Sequence, residues 1–175
     1  KDHTVFERDE LLTQAGAPYS VFTPYKNAWL RKVNDFYLSA YPVERHARAL
    51  APRPSWALAG VPLLEALGFE SGSFDPRVLP AGSQGAERLL NDFLTRIDRY
   101  DQTRDFPGIK GPSYLSTHLR FGTISVRRLA RTAHQLALSG SPGAAVWLNE
   151  LIWRDFNFPL LFYLTFVEYR NFKPA

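Results

Sequence analysis

From residue 83 to residue 158 the apolar positions recur every three to four residues, a rhythm that predicts successive amphipathic helices. Ser83 suits a helix N-cap, and Leu89, Leu90, Phe93, Leu94, Ile97 and Tyr100 follow at helical steps with Glu87, Arg88, Asp92 and Arg96 between them. One helix is therefore expected there, ending near Arg104 to Gly108, with a polar loop to Ser116. Ser125 is the expected cap of a second helix through Val126, Leu129, Ala130, Ala133, Leu136 and Ala137, closing at Gly140. Ser141 and Pro142 open a third, through Trp147 and Trp153 to Phe158, where Pro159 should kink or interrupt it. Leu89, Phe93, Ile97, Leu129, Leu151 and Ile152 form the expected core.

Upstream the pattern weakens. Ala28, Trp29, Val33, Phe36 and Tyr37 predict a helix over residues 25–37, with Thr23 as its cap and Pro24 in its first turn. Val5 and Phe6, followed by Leu11, Leu12 and a turn at residues 16–18, read as the last strand of something larger, since one strand cannot bury its own faces. Residues 41–80 hold Pro42, Pro52, Pro54, Pro62, Pro76 and Pro80, which resist continuous helix or central strand; this stretch reads as a connector, mostly loop, with a short helical turn within residues 57–67. The fold class expected is mainly α.

Composition narrows the chemistry. The 175 residues are 45% hydrophobic and 14% aromatic, enough for a real core. Lys and Arg exceed Asp and Glu by 21 to 17, a mild excess that suits a polyanion without requiring one. The absence of cysteine excludes disulfides, thiolate metal sites and a thiol nucleophile, and fits a reducing, cytoplasmic setting. His3, His46, His118 and His134 stand in no zinc-binding spacing, so no metal is assigned. No segment reaches the roughly 20 uninterrupted apolar residues of a membrane span. With no methionine and a start at Lys1, both ends read as cut.

The last helix carries the richest chemistry. At about 100° per residue Trp147, Glu150, Trp153, Arg154 and Asn157 share one sector, opposite Leu148, Leu151, Ile152 and Phe156. Two indoles beside a carboxylate, a guanidinium and an amide suit a pocket that stacks a flat molecule and hydrogen-bonds its edge, although a salt-bridged helix face with two core tryptophans is the commoner meaning of such a stripe. Gly111, Pro112, Ser113, Tyr114, Leu115 and Ser116 form a hydroxyl-bearing loop of the kind that holds phosphate, without being a Walker or dinucleotide-fold sequence; capping and turn formation explain most serines so placed. Trp29 and Trp56 read as packing residues, His118 and His134 as satisfied imidazoles, and Arg127, Arg128 and Arg131 as a solvated helix face.

Three strings in register, YDQTRDFP at 100–107, GPSYLSTHLRFGTISVR at 111–127 and WLNELIWRDF at 147–156, resemble the DNA photolyase and cryptochrome family, and VFTPYKNAWL at 21–30 is similar to the family's exit from its antenna domain. The likeness is to class I cyclobutane pyrimidine dimer photolyases. It implies the end of an α/β antenna domain over residues 1–20, an interdomain connector with one helix over 21–82, and the first part of the all-helical FAD-binding domain over 83–175. It implies that Tyr100 contacts the flavin, that residues 112–116 (Pro112, Ser113, Tyr114, Leu115, Ser116) wrap the FAD phosphates and ribitol, and that Trp147 and Arg154 line the FAD cavity. Glu150 and Trp153 would receive the flipped dimer as the catalytic pair, while Arg104, with Asn157, approaches DNA. Pro112 and Tyr114 stand where threonine and arginine are common, each removing a polar contact.

The function so implied is light-driven repair of ultraviolet-damaged DNA, in which reduced FAD lends an electron to the dimer. The alternatives are a cryptochrome-type photoreceptor that signals without repair, or a piece with no activity of its own. The parent is expected to be monomeric and free of membranes. The isolated piece is expected to self-associate and to bind FAD poorly, and its antenna chromophore is unknown.

Overall fold

The computed structural model describes residues 3–57, 60, 62–70, 72 and 79–172, and these form two compact units, residues 1–40 with 80–175 and Tyr41–Leu79. Within the larger unit six α-helices follow one another: α1 Phe22–Lys32, α2 Gly82–Leu94, α3 Tyr100–Thr103, α4 Ser116–Phe121, α5 Val126–Leu138 and α6 Pro142–Tyr163. Among its described residues the smaller unit is loop with short 3₁₀ turns at Val43–Ala49, Ser55–Ala57 and Glu65–Leu67, in keeping with its prolines; residues 58, 59, 61, 71 and 73–78 of the expected connector lie outside the described residues.

The 22-residue α6 is the axis on which α5, α3, α1 and the 3₁₀ turn Ile97–Arg99 pack. It begins as the sequence asks: Ser141 Oγ accepts from the Ala144 amide at 3.2 Å, and Pro142 occupies the first turn, where its missing N–H costs nothing. Ser125 caps α5 in the same way, accepting from the Arg128 amide at 3.4 Å. Gly143 lets α6 cross the Ile97–Arg99 turn closely, because a Cβ there would lie 1.9 Å from the Ile97 carbonyl oxygen. Leu89, Phe93, Ile97, Leu129, Leu151 and Ile152 are all buried. Phe93 at the centre meets Tyr100 edge-on at 5.6 Å and Trp147 tilted at 4.8 Å.

Several local expectations change. Val5 and Phe6 are buried, but no strand occurs among the described residues; their amides are taken by a side chain of α6 instead of a neighbouring strand. α1 starts at Phe22, after an extended Val21 and without a side-chain cap, and ends at Lys32 because Val33 returns to extended backbone. The single helix expected from Ser83 begins at Gly82 after Ala81 and breaks at Thr95 and Arg96, so that Tyr100 lies on a separate short helix. α4 was not expected from the pattern, being too short to show a period. α6 runs through Pro159 to Tyr163, since proline removes only one intrahelical bond near the end of a long, packed helix. Trp56 is 82% exposed, so it does not pack as expected. Arg127 is buried rather than solvated, donating to the carbonyls of Val5 and Tyr37.

Candidate functional site

The predicted stripe on α6 is graded in exposure. Trp147 is buried against Phe93, Glu150 and Arg154 are half-buried, and Trp153 and Asn157 reach solvent, Trp153 at 41% exposure. Glu150 accepts from Arg104 Nη1 at 2.5 Å, so α6 and the end of α3 meet through an ion pair. That bond holds the guanidinium pKa above its usual range, and the same guanidinium lies 5.5 Å from the centre of the Tyr100 ring. Tyr100, Arg104 and Glu150 are thus one linked group, which Phe93 joins to Trp147.

Trp153 belongs to a second group. Its indole lies flat on Phe22, the first residue of α1, with ring centroids 3.7 Å apart and planes 6° from parallel. Phe156 closes the edge of both rings, 5.7 Å from Trp153 and 5.9 Å from Phe22. Arg154 turns towards α4 and the N-terminal segment, donating to the Leu119 carbonyl at 3.3 Å and to the His3 carbonyl. Burial pushes its pKa down, with the neighbouring Asp155 opposing the shift.

The loop before α4 is shaped by backbone contacts. Gly111 packs on Thr103, where a Cβ would approach the carbonyl oxygen to 2.5 Å, and the Pro112 carbonyl accepts from Arg96 Nη2 at 2.8 Å. Tyr114 takes a left-handed φ of 58°, uncommon for a side chain of its size. Leu115 is the buried anchor, while Ser113 is half-buried and Ser116 exposed. Ser113 Oγ accepts from the Leu115 amide at 3.4 Å. An exposed hydroxyl at Ser116 and a half-buried one at Ser113 on an anchored turn, with a half-buried guanidinium bonded to the following helix, match the donor chemistry that a phosphate-bearing cofactor needs. Trp147 and Tyr100 fit a flat ring less directly, because both rings already pack on Phe93.

Two residues of consequence were not singled out from the sequence. Asp155 is buried and accepts from the Val5 amide at 2.9 Å, the Phe6 amide at 3.4 Å and Trp29 Nε1 at 2.9 Å. Burial raises its pKa to about 6 against the opposing pull of those donors. Its signal was legible, since helical spacing puts Asp155 with Leu148, Leu151 and Ile152 on the apolar side, where a lone acid must find partners. Phe22 gave no such signal, because its partner lies 131 positions away. Among the described residues no helix is long and apolar enough to cross a membrane, and no three His, Asp or Glu side chains gather as metal ligands.

The same helical architecture is found in a solved class III photolyase from Agrobacterium tumefaciens: it superposes with a TM-score of 0.68 over 98% of this chain and 36% of that one, at 23% identity. The fold is therefore that of part of a photolyase. The chain is also 35% identical over 169 residues to the deoxyribodipyrimidine photo-lyase of Escherichia coli and 37% identical over 160 residues to that of Vibrio cholerae, covering 93% and 89% of this chain. It belongs to the photolyase and cryptochrome family, and it spans about a third of the length of the curated relatives it matches, 34% and 33% of those two. No family model matches it.

Proposed function

We propose that the protein is a light-driven, FAD-dependent lyase that splits cyclobutane pyrimidine dimers in ultraviolet-damaged DNA, and that this chain supplies part of both the substrate and the cofactor contacts. The observation that carries this reading is an open indole, Trp153, one turn from a carboxylate, Glu150, on one helix of a chain 35% and 37% identical to two bacterial deoxyribodipyrimidine photo-lyases. A flipped base offers a flat face to stack on the indole and a polar edge for the carboxylate. Arg104, paired with Glu150 and adjoining the Tyr100 ring, would exchange that partner for a DNA phosphate, and the exposed Asn157 would extend the same face. Ser113, Tyr114, Leu115 and Ser116 would hold the cofactor's phosphates with Arg154 supporting the adjoining helix, and Tyr100 and Trp147 would offer edges to its ring. A bound reduced flavin would lend the electron that opens the dimer and take it back once the bonds have split, while the protein would orient both partners and exclude water.

The full-length protein, mixed with dimer-containing DNA under blue light, should restore intact pyrimidines and leave a dark control unchanged. Flavin binding without repair would move the reading to a blue-light photoreceptor. The chain by itself is expected to bind FAD poorly, because a site closed by several segments loses preorganisation when some are missing. A structured flavin absorption band at stoichiometric FAD would overturn that expectation.

A further inference from the structure

Phe22 stands outside the chemistry assigned above, yet it makes the closest aromatic contact to the face of the indole proposed to stack a base. It is the first helical residue of α1, directly after the extended Val21, so its direction is fixed where the chain turns into the helix. One turn later Tyr25 is buried and packs on Phe156 at 5.1 Å, and Phe156 meets Phe22 at 5.9 Å. The Phe22 ring is thus held by the buried Phe156, which the buried Tyr25 backs in turn. It covers one face of Trp153, whose 41% exposure must come from the opposite face and the rim.

We propose that Phe22 is a positioning residue that holds the Trp153 indole flat so that its free face can take a π-stacked nucleobase. This rests on the reading of Trp153 as a base-stacking residue. An unsupported indole at the surface of a helix samples several rotamers, and a base that stacks on it must first meet the entropic cost of fixing χ1 and χ2. With one face on Phe22, much of that cost is met during folding. A base arriving on the other face completes a three-layer stack of phenyl ring, indole and base. Phe22 therefore acts through Trp153 and touches no substrate atom.

The requirement for a flat ring separates this role from simple space filling. Phe22→Leu keeps an apolar side chain of similar bulk at the start of α1 but offers no plane, whereas Phe22→Tyr keeps the plane. In full-length protein, binding to DNA carrying one dimer should weaken about three- to tenfold in Phe22→Leu and stay within about twofold in Phe22→Tyr, with undamaged DNA unaffected in both, the scale following from part of one base-stacking contact. A DNA-free measurement runs in parallel. The near-ultraviolet circular dichroism due to Trp153, taken as each protein minus its Trp153→Phe partner, should collapse in Phe22→Leu and persist in Phe22→Tyr. If Phe22→Leu retains both that dichroism and its preference for damaged DNA, the positioning role is wrong. If Trp153→Ala leaves the preference for damaged DNA intact, the base-stacking reading itself falls, whatever the dichroism shows about Phe22 and the indole.

Discussion

Glu150 and Asp155 stand five residues apart on α6, about 140° around it, and the two carboxylates live in opposite environments. Asp155 is 1% exposed and bound by two backbone amides and an indole N–H from segments 126 to 150 positions away. Glu150 is half-buried and pairs with the Arg104 guanidinium, whose own side chain is 30% exposed. The inward acid ties the N-terminal segment and α1 to the long helix. The outward one sits in an exchangeable ion pair beside an open aromatic face. A strong pKa shift therefore marks architecture here, at Asp155, and the residue proposed for chemistry is recognised by exposure and company instead.

The contrast is tested most severely by removing each acid. Asp155→Ala leaves the Val5 and Phe6 amides and Trp29 Nε1 as buried donors without an acceptor, and each orphan costs about 1–3 kcal/mol. The expected loss in urea unfolding is at least about 3 kcal/mol, with the N-terminal segment released from protection in amide exchange. A loss comparable to that of a surface substitution would show that the latch is not what holds these segments.

Titration sharpens the same point. Burial raises the folded pKa of Asp155 to about 6, above its usual unfolded value of about 3.9, so between those values the folded state holds a proton that the unfolded state lacks. This contribution to stability is fully present below about pH 4 and disappears as the pH rises through 6, by roughly 3 kcal/mol for a shift of about two pH units. The buried Tyr25 phenol, pushed upward by burial and by the Asp155 charge, stays neutral across that window, and Arg154 stays cationic. Asp155→Asn should flatten that part of the curve. An unchanged slope in the variant would assign it to other carboxylates.

Trp153→Ala comes next in size, and it reads the outward side. In full-length protein it should weaken binding to dimer-containing DNA by roughly 1–3 kcal/mol, the scale of one base-stacking aromatic. Binding to undamaged DNA should change much less. An equal fall on both would make Trp153 a folding residue like Trp29, whose indole is spent on Asp155.

How much of this could be read beforehand follows from the range of each interaction. The caps at Ser125 and Ser141, the apolar stripe of α6 and the burial of Phe93 and Ile97 are local or periodic, and they were legible. The break at Arg96 was not, because Ile97 and Tyr100 stay in phase with the preceding helix although a 3₁₀ turn intervenes. The placing of Glu150 against Arg104 needed tertiary structure, as did that of Trp153 on Phe22, since pairs 46 and 131 positions apart leave no periodic trace. Asp155 lay between. Its position on the apolar side announced a buried acid, but not which donors would meet it.

The smallest effect expected is that of the Arg104 and Glu150 pair on stability. Both side chains are about one-third exposed, 30% and 36%, so water and salt screen their attraction, and pairs of this kind contribute about 0–1 kcal/mol. A double-mutant cycle with Arg104→Ala and Glu150→Gln should return a coupling within that range, and it should shrink as ionic strength rises. The same substitution of Arg104 should have a larger consequence in DNA binding, where losing one phosphate contact lowers the slope of affinity against salt by about one unit for all sequences alike. A coupling of several kcal/mol that resists salt would place the pair with Asp155 as a structural lock, and the distinction between the two carboxylates of α6 would then fail.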